Sequence, residues 1–452
     1  MVKKDFIIIF SVLLCFFSFV LLSFSNKKNN DIKELTATVL QIKENQITLQ
    51  DSQNVIYTFD IDDIDFETGE ILTLKYTGLI DANSILQDGK VISYKKVSLT
   101  DSEIPSNWLD NGIFKDYYKM AYNKLKTLSL SEKIGQILLV RYPDTSIQSL
   151  LQNYPVSGFV FFEKDFKDKT LLEVQDMIQN AQKNSKIPLL TAVDEEGGKI
   201  VRISSNVNLV ASPFKSSYEL YETGGFEKIK EDTIYKSKIL SNLGINLNLA
   251  PVIDVTTDPS AYMYERSFRH NTELTSTYAK TVIEASKDTK VSYTLKHFPG
   301  YANNSDTHIS SATDDRSYED ILNNDIPPFK EGIKSGAEAI LFSHNIVKSI
   351  DSNNPVSLSI NAHNLLRNEL DFTGIIVTDN LDMSALSNID KPILKALLAG
   401  NDLIITTDYK SDFQTIKDAI TDGTISEQLI NKLAFRVLAW KYYKGLIMEN
   451  QK

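Results

Sequence analysis

Residues 156–195 read VSGFVFFEKDFKDKTLLEVQDMIQNAQKNSKIPLLTAVDE and combine two hydrophobic patterns. Two short and nearly continuous apolar runs, VSGFVFF and IPLLTAVDE, are typical of strands that are buried on both faces. The stretch between them, LLEVQDMIQNAQKNS, has the spacing of an amphipathic helix. A strand, a helix and a second strand in this order predict two parallel strands that are joined by a crossover helix.

The same pattern continues on both sides of this stretch. Eight apolar runs of strand length follow residue 118, namely GQILLVRY, VSGFVFF, IPLLTAVDE, INLNLAPVIDV, VSYTLKHF, AEAILFSHN, GIIVTDN and DLIITTD. Helical patterns lie between them, and several end at glycine, as in FEKIKEDTIYKSKILSNLG and ILKALLAG. The repeat predicts an α/β fold in which residues 118–452 form a (β/α)8 TIM-type barrel, and a doubly wound sheet is the alternative.

The N-terminal part of the chain has a different character. Residues 1–28 contain the uncharged run Phe6–Phe24 between pairs of lysines, and the length of this run suits a single membrane span. A cleaved signal peptide is the alternative, because the run ends among small serine residues. Residues 29–100 alternate apolar and polar side chains between turn residues, which predicts a small all-β module, and residues 101–117 read as a linker.

Composition narrows the class and the location of the protein. The chain has 452 residues, of which 42% are hydrophobic, so it can bury a sizeable core. Its net charge of -11 argues against a nucleic-acid partner, because nucleic-acid phosphates would be repelled. The single cysteine, Cys15, lies in the apolar N-terminal run. We therefore expect a membrane-anchored protein with an extracytoplasmic catalytic domain, or a secreted protein if the segment is cleaved.

Ionisable residues occur where almost every predicted strand ends. They are Asp194, Glu195, Glu196, Asp254, Lys296, His297, His344 and Asp379. Residues 294–310 read TLKHFPGYANNSDTHIS. The predicted strand ends at KHF, and the rest of the stretch is a polar loop that contains Asp306 and His308. Each residue alone could be a helix cap or a solvated loop charge. Because strand ends in a barrel converge on one mouth, so many ionisable groups together indicate a functional site.

Six motifs carry a resemblance to a known family. DEEGGKIVR, NLAPVIDV, ERSF, KHFPG, SDTH and VTDNLDM occur in this order, each at a predicted strand end. Across residues 118–445 the chain resembles the β-N-acetylhexosaminidases of glycoside hydrolase family 3, of the single-barrel type that recycles peptidoglycan. The resemblance implies a retaining glycosidase that removes terminal β-linked N-acetylglucosamine, notably from peptidoglycan fragments. We expect no cofactor and no metal.

The resemblance also implies roles for individual residues. Asp379 matches the nucleophile, and Asp306 and His308 match an Asp-His pair that replaces the usual carboxylic acid as proton donor. Histidine suits this task because its unperturbed pKa of about 6.5 lets it give and take a proton near neutrality. The positions that match sugar-binding residues are Asp194, Arg202, Arg266, Lys296 and His297. A structural network of ion pairs is the alternative reading of these five, and Asp254 and His344 are left out of the predicted site.

Departures from the family pattern leave other functions open. Ala302 and residues 309–311 replace sequence that is usually richer in glycine, which predicts a stiffer loop. The chain also stops soon after the barrel, so we expect no second domain of the kind that supplies the acid in the family's glucosidases.

The alternative functions are an N-acetylglucosaminide phosphorylase and a muropeptide-binding module whose catalysis has lapsed. A metal site at Asp306 and His308 would need a third ligand. If His308 is not the proton donor, Glu195 is the first candidate by position.

Overall fold

The computed structural model describes residues 31–51, 55–62, 64–66, 70–80, 85–87, 89–96, 104–301 and 312–448. Several predictions fall outside these ranges: the membrane segment Phe6–Phe24, Ala302, Asp306, His308 and residues 309–311. Within the ranges, every helix is too short or too polar to cross a membrane.

A separate antiparallel sheet precedes the barrel. Its strands are β1 (Lys33–Lys43), β2 (Gln46–Gln50), β3 (Ile56–Asp60), β4 (Ile71–Tyr76) and β7 (Val91–Lys96), in the order β3-β2-β1-β4-β7. The short strands β5 (Leu79–Ile80) and β6 (Leu86–Gln87) pair with each other. Alternate side chains such as Val39, Leu49, Phe59 and Leu74 are buried and form a core of their own. The predicted small β module is therefore confirmed.

This module is attached to the outside of the barrel by polar contacts, one buried and one partly buried. The backbone N–H of Ile56 donates to Oδ1 of Asn364 at 3.2 Å. The ammonium group of Lys432 donates to the backbone carbonyl of Asp51 at 2.9 Å. The side chain of Ile56 belongs to the same hydrophobic core as the barrel. The module therefore has a fixed position against two barrel helices.

Eight parallel strands form the barrel. They are β8 (Leu138–Arg141), β9 (Gly158–Phe161), β10 (Leu190–Val193), β11 (Leu247–Asn248), β12 (Ser292–Phe298), β14 (Ala339–Phe342), β16 (Ile375–Thr378) and β17 (Ile404–Thr406). Their order in the sheet follows their order in the chain, and β17 pairs with β8. One parallel bridge, Val377 to Leu403, joins β16 to β17 and nearly closes the ring. The predicted barrel is confirmed, and the doubly wound alternative is wrong.

Helices surround the barrel. They are Tyr118–Leu125, Leu130–Gln136, Ile147–Asn153, Glu163–Phe166, Leu171–Lys183, Ser217–Leu243, Thr272–Ser286, Tyr318–Asn324, Ile326–Lys334, Ile360–Asn364, Pro392–Ala399, Tyr409–Thr421 and Glu427–Tyr443. Short 3-10 turns occur at Ser106–Trp108, Lys115–Tyr117, Val356–Leu358 and Ser384–Leu386, and a π turn occurs at Leu365–Glu369. The strands β13 (Thr313–Asp314) and β15 (Ile346–Val347) pair in parallel and form a two-stranded sheet that is separate from the barrel sheet.

The helix Ser217–Leu243 begins earlier than its sequence pattern indicates. That pattern starts at Phe226, but Ser216 and Glu219 form a capping box in which each side chain accepts the other residue's backbone N–H. Non-helical backbone at Gly224 and Gly225 separates this first part from the predicted helix. Gly225 has a φ of 61°, a conformation that glycine adopts without strain, so the glycine pair accounts for the break.

Candidate active site

A cavity of about 440 Å³ opens at the carboxyl ends of the barrel strands, where barrels of this kind place their active sites. All eight strands or the residues directly after them contribute to its lining, through Arg141, Phe162, Asp194, Leu249, Lys296, Leu341, Asp379 and Ile405. The predicted sugar-binding residues and the predicted nucleophile line this one cavity, namely Asp194, Arg202, Arg266, Lys296, His297 and Asp379. The structure therefore brings together every predicted site residue that it describes.

Lys296 lies between two carboxylates on the cavity wall. Its ammonium nitrogen is 2.7 Å from Oδ1 of Asp194 and 2.7 Å from Oε1 of Glu196. Burial alone would lower the pKa of Lys296, but the charges of Asp194 and Glu196 outweigh burial and raise that pKa above its usual value. Lys296 is therefore a permanent cation. An ammonium group has three N–H donors, so one donor remains for a substrate oxygen.

Glu196 is a site residue that the sequence prediction missed. Both of its carboxylate oxygens accept from Arg266, Oε1 from Nη2 at 2.6 Å and Oε2 from Nε at 3.0 Å. Burial alone would raise the pKa of Glu196, but Arg266 and Lys296 hold that pKa well below its usual range. Glu196 therefore stays ionised and fixes two cations at the cavity wall. In the sequence, Glu196 stands at a strand end and within the motif DEEGGKIVR, but it was given no role there.

His297 is held by Asp254 beneath the cavity. Nδ1 of His297 lies 2.8 Å from Oδ2 of Asp254, and the backbone N–H of Tyr301 donates to Oδ1 of Asp254 at 2.8 Å. Because a carboxylate can only accept, Nδ1 of the ring carries a proton, and in the neutral ring Nε2 is an acceptor. The side chains of Lys296 and His297 both line the cavity, although the two residues are consecutive. The pairing of β12 with β14 is irregular between Lys296 and Phe298, as at a bulge.

Asp379 follows β16, and its neighbour is held by a buried histidine. Oδ1 of Asp379 accepts the backbone N–H of Asn380 at 2.8 Å. Nε2 of His344 lies 2.9 Å from the carbonyl oxygen of Asn380, and its Nδ1 lies 2.7 Å from Oγ of Ser357. A carbonyl only accepts, so Nε2 donates. Neither His344 nor Asp254 is part of the cavity lining, so both hold residues that do line it.

Glu195 points away from the cavity. It is fully buried, and its carboxylate accepts the backbone N–H groups of Arg202, Ile203 and Ser204 and the hydroxyl of Ser204. These contacts fix the loop that carries Arg202. The hypothesis that Glu195 could replace His308 as the acid is therefore wrong. The carboxylate of Glu195 is hydrogen-bonded to this loop and does not line the cavity.

Arg141 and Phe162 are further lining residues that the sequence analysis did not select. Arg141 is the last residue of β8, and Phe162 directly follows β9. None of the six family motifs contains either residue. In the described part of the chain, no group of three or more His, Cys, Asp or Glu side chains is arranged to hold a metal ion.

Comparisons with known proteins point to one family. Residues 129–440 match the Glycosyl hydrolase family 3 N terminal domain. A beta-hexosaminidase of Glaesserella parasuis is 32% identical over 301 residues, which cover 65% of this chain and 86% of that protein. Beta-hexosaminidase LpqI of Mycobacterium tuberculosis is 27% identical over 329 residues, which cover 70% and 83%. The structure of a glycoside hydrolase family 3 beta-N-acetylglucosaminidase from Paenibacillus sp. str. FPU-7 superposes with a TM-score of 0.66 at 27% identity, covering 72% of this chain and 65% of that one. These matches confirm the resemblance that the six motifs indicated.

Proposed function

Since this chain belongs to glycosyl hydrolase family 3 and is a glycosidase, we propose that it removes terminal β-linked N-acetylglucosamine from peptidoglycan fragments with retention of configuration. The observation that carries the proposal is the convergence of Asp194, Arg266, Lys296 and His297 on the cavity that Asp379 also lines. These groups offer charged donors and acceptors for sugar hydroxyls around one carboxylate.

In the proposed reaction, Asp379 forms and then releases a covalent bond to the sugar. Its carboxylate attacks the anomeric carbon while His308 gives a proton to the leaving oxygen. His308 then takes a proton from the water that attacks the same carbon, and the bond to Asp379 breaks. Asp306 orients the imidazole and stabilises its charged form. The roles of Asp306 and His308 rest on the SDTH motif.

The other cavity residues would bind and orient the sugar. Lys296 has one donor left after Asp194 and Glu196, and the free Nε2 of a neutral His297 can accept from a hydroxyl. Arg266 is held by two hydrogen bonds to Glu196, which fixes the plane of its guanidinium. A wall fixed before the substrate arrives reduces the ordering that binding requires.

We also propose that the run Phe6–Phe24 anchors the enzyme at the outer face of the cell membrane, which would place it beside its cell-wall substrate. Lysis without detergent should leave the activity with the membrane. A soluble, active species that begins near Asn26 would instead show that the segment is removed.

Two assays test the activity. A chromogenic β-N-acetylglucosaminide should be turned over much faster than the matching β-glucoside, and equal rates would contradict the proposed specificity. Proton NMR of the first minutes of reaction should show the β anomer of the released sugar, because two displacements at the anomeric carbon retain its configuration. Initial release of the α anomer would contradict the retaining mechanism.

A further inference from the structure

Two consecutive residues hold the chain on both sides of segment 302–311, which contains the SDTH motif. The side-chain amide of Asn345 donates to the carbonyl oxygen of Gly300 at 3.3 Å, just before the segment. The backbone N–H of Ile346 donates to the carbonyl oxygen of Ala312 at 2.8 Å, just after it. The chain that enters the segment and the chain that leaves it are therefore held close together, at the start of β15.

The chain before the segment is also tied to the sugar-binding wall. The backbone N–H of Tyr301 donates to Oδ1 of Asp254 at 2.8 Å. Oδ2 of the same carboxylate lies 2.8 Å from Nδ1 of His297, which lines the cavity. One buried carboxylate therefore fixes the start of the segment relative to a predicted sugar-binding residue.

Asp325 links the chain before the segment to the chain after it. A Cβ atom on Gly300 would collide with Oδ1 of Asp325, so the carboxyl group lies directly against that glycine. Oδ2 of Asp325 accepts from Nη1 of Arg316 at 2.7 Å. Nη2 of Arg316 donates to Oδ2 of Asp314 at 2.7 Å, and Asp314 belongs to β13 on the far side of the segment.

The carboxyl group of Asp325 has no role in the helix that follows it. Asp325 is the N-cap residue of the helix Ile326–Lys334, but its side chain forms no capping hydrogen bond. The usual donors to such a cap are the second and third helical residues, which here are Pro327 and Pro328 and have no N–H. Oδ1 of Asp325 is buried and has no hydrogen-bond partner among the described residues, which is unfavourable. Helix capping therefore does not account for this buried acid.

The link to Arg316 does not require an ionised Asp325. Burial raises the pKa of Asp325 to about 7, with help from the charges of Asp254 and Asp314 and against the effect of Arg316. A protonated carboxyl group still has one oxygen that accepts a hydrogen bond. The contact with Arg316 therefore exists on both sides of neutral pH.

We propose that Asp325 and Arg316 are positioning residues for the proton donor, because they hold the chain on both sides of the segment that carries His308. This inference deepens the proposed function and rests on it. A general acid acts within about 3 Å of the oxygen that it protonates. A displacement of about 1 Å can lower the rate by about 100-fold, so the supports of a catalytic group matter as much as the group itself.

The experiment compares Asp325→Ala with the native full chain on two N-acetylglucosaminides. One releases dinitrophenolate, which needs no proton, and the other releases a simple alcohol, which does. We expect kcat/KM to fall by about 10- to 100-fold with the alcohol and by less than about threefold with the phenolate. Azide should restore kcat with the phenolate substrate. Asp325→Asn keeps an acceptor for Arg316, so it should retain most of the native ratio between the two substrates.

Hydrogen exchange tests the same link without turnover. Backbone amides in residues 298–301 and 312–316 should exchange faster in Asp325→Ala than in the native chain, by about threefold or more. The matched control is Asp315→Ala, since Asp315 stands beside Asp314 in the chain but is exposed and pairs with Lys348. This control should keep the native exchange rates and the native ratio between the two substrates.

An equal loss of kcat/KM with both leaving groups in Asp325→Ala would overturn the proposal, because the effect would then be on binding or folding. Native exchange rates on both sides of the segment would also overturn it, as would faster exchange with a native substrate ratio. If the native chain cleaves no N-acetylglucosaminide, the proposed function fails, and hydrogen exchange alone decides whether Asp325 holds both sides. If melting shows that Asp325→Ala is unfolded, Arg316→Lys takes its place. It keeps the charge but lacks the planar fork, and it should shift the substrate ratio in the same direction.

Discussion

The carboxylate of Glu196 accepts two hydrogen bonds from the guanidinium of Arg266, at 2.6 Å and 3.0 Å. The same carboxylate is 2.7 Å from the ammonium group of Lys296. One buried acid therefore fixes two cations that belong to the predicted sugar-binding set. Removal of one charged member of such a buried group leaves the charges of the others less well balanced.

We expect Glu196→Gln to weaken substrate binding more than chemistry. The substitution keeps the shape of the side chain but removes the charge that orients Arg266 and Lys296. For an N-acetylglucosaminide, kcat/KM should fall by about 10- to 100-fold, mostly through a higher KM, because these cations bind the ground state and the transition state alike. Steady-state kinetics measures this division.

Glu227→Gln is the control for this variant, because Glu227 is an exposed acid on the helix Ser217–Leu243. It should leave both kinetic constants near their native values. If Glu196→Gln instead lowers kcat at an unchanged KM, Glu196 takes part in the chemical step and is more than a positioning residue.

The sequence predicted the barrel well because each strand is buried on both faces and reads as an apolar run. It predicted the orientation of adjacent acids poorly. Glu195 points into a loop and Glu196 into the cavity, and a turn at Gly197 and Gly198, both of which have positive φ, follows them directly. A side chain at Gly197 would meet the backbone of Lys215, a contact between residues distant in sequence that no local pattern predicts.

Strand length was also misjudged at one position. INLNLAPVIDV looks like a long strand, yet β11 covers only Leu247–Asn248. Pro251 has no backbone N–H to donate to a neighbouring strand, which limits regular pairing there. Arg141 was missed for another reason, since a single arginine after an apolar run has no local sign of its contact with Phe162.

Asp412 should make the free energy of unfolding depend on pH. Burial, together with the charges of Asp382 and Asp408, raises the pKa of Asp412 to about 6, although the hydroxyl of Thr406 donates to it at 2.6 Å. In the unfolded chain this pKa is about 3.9. Between these values the folded state binds the proton more tightly, so this residue's contribution to stability falls as pH rises through about 4 to 6.

We therefore expect Asp412→Asn to be more stable than the native chain above pH 6, by about 1–2 kcal/mol after allowance for partial solvent exposure. Below pH 4 the difference should disappear. Denaturant unfolding at pH 4, 6 and 8 measures it. Asp418→Asn, an exposed change on the same helix, should show no such trend, and a constant difference for Asp412→Asn at all three values would contradict the pKa.

Asp379→Asn should abolish turnover of every substrate. An amide keeps the hydrogen bond from the backbone of Asn380 but cannot attack the anomeric carbon. We expect kcat to fall by about three powers of ten or more with good and poor leaving groups alike. Binding of N-acetylglucosamine, measured by calorimetry, should change far less. If the variant keeps more than about a tenth of the native rate, another group is the nucleophile.

Replacing His308 should have an effect that depends on the leaving group. A phenolate with a low pKa leaves without a proton, so the first step in His308→Ala should survive with such a substrate and fail with a sugar alcohol. The second step still needs a base for water, so the covalent sugar on Asp379 should accumulate and be visible by mass spectrometry of the intact protein. Azide needs no deprotonation and should restore turnover.

Asp306→Asn separates orientation from proton transfer. The amide leaves the imidazole of His308 in place but removes the charge that stabilises its protonated form, so we expect the same dependence on leaving group in a milder form. If His308→Ala loses one constant factor for good and poor leaving groups and azide has no effect, His308 binds or supports the substrate. Since Glu195 is fully buried and bonded to the loop of Arg202, the acid would then have to come from another residue at the cavity.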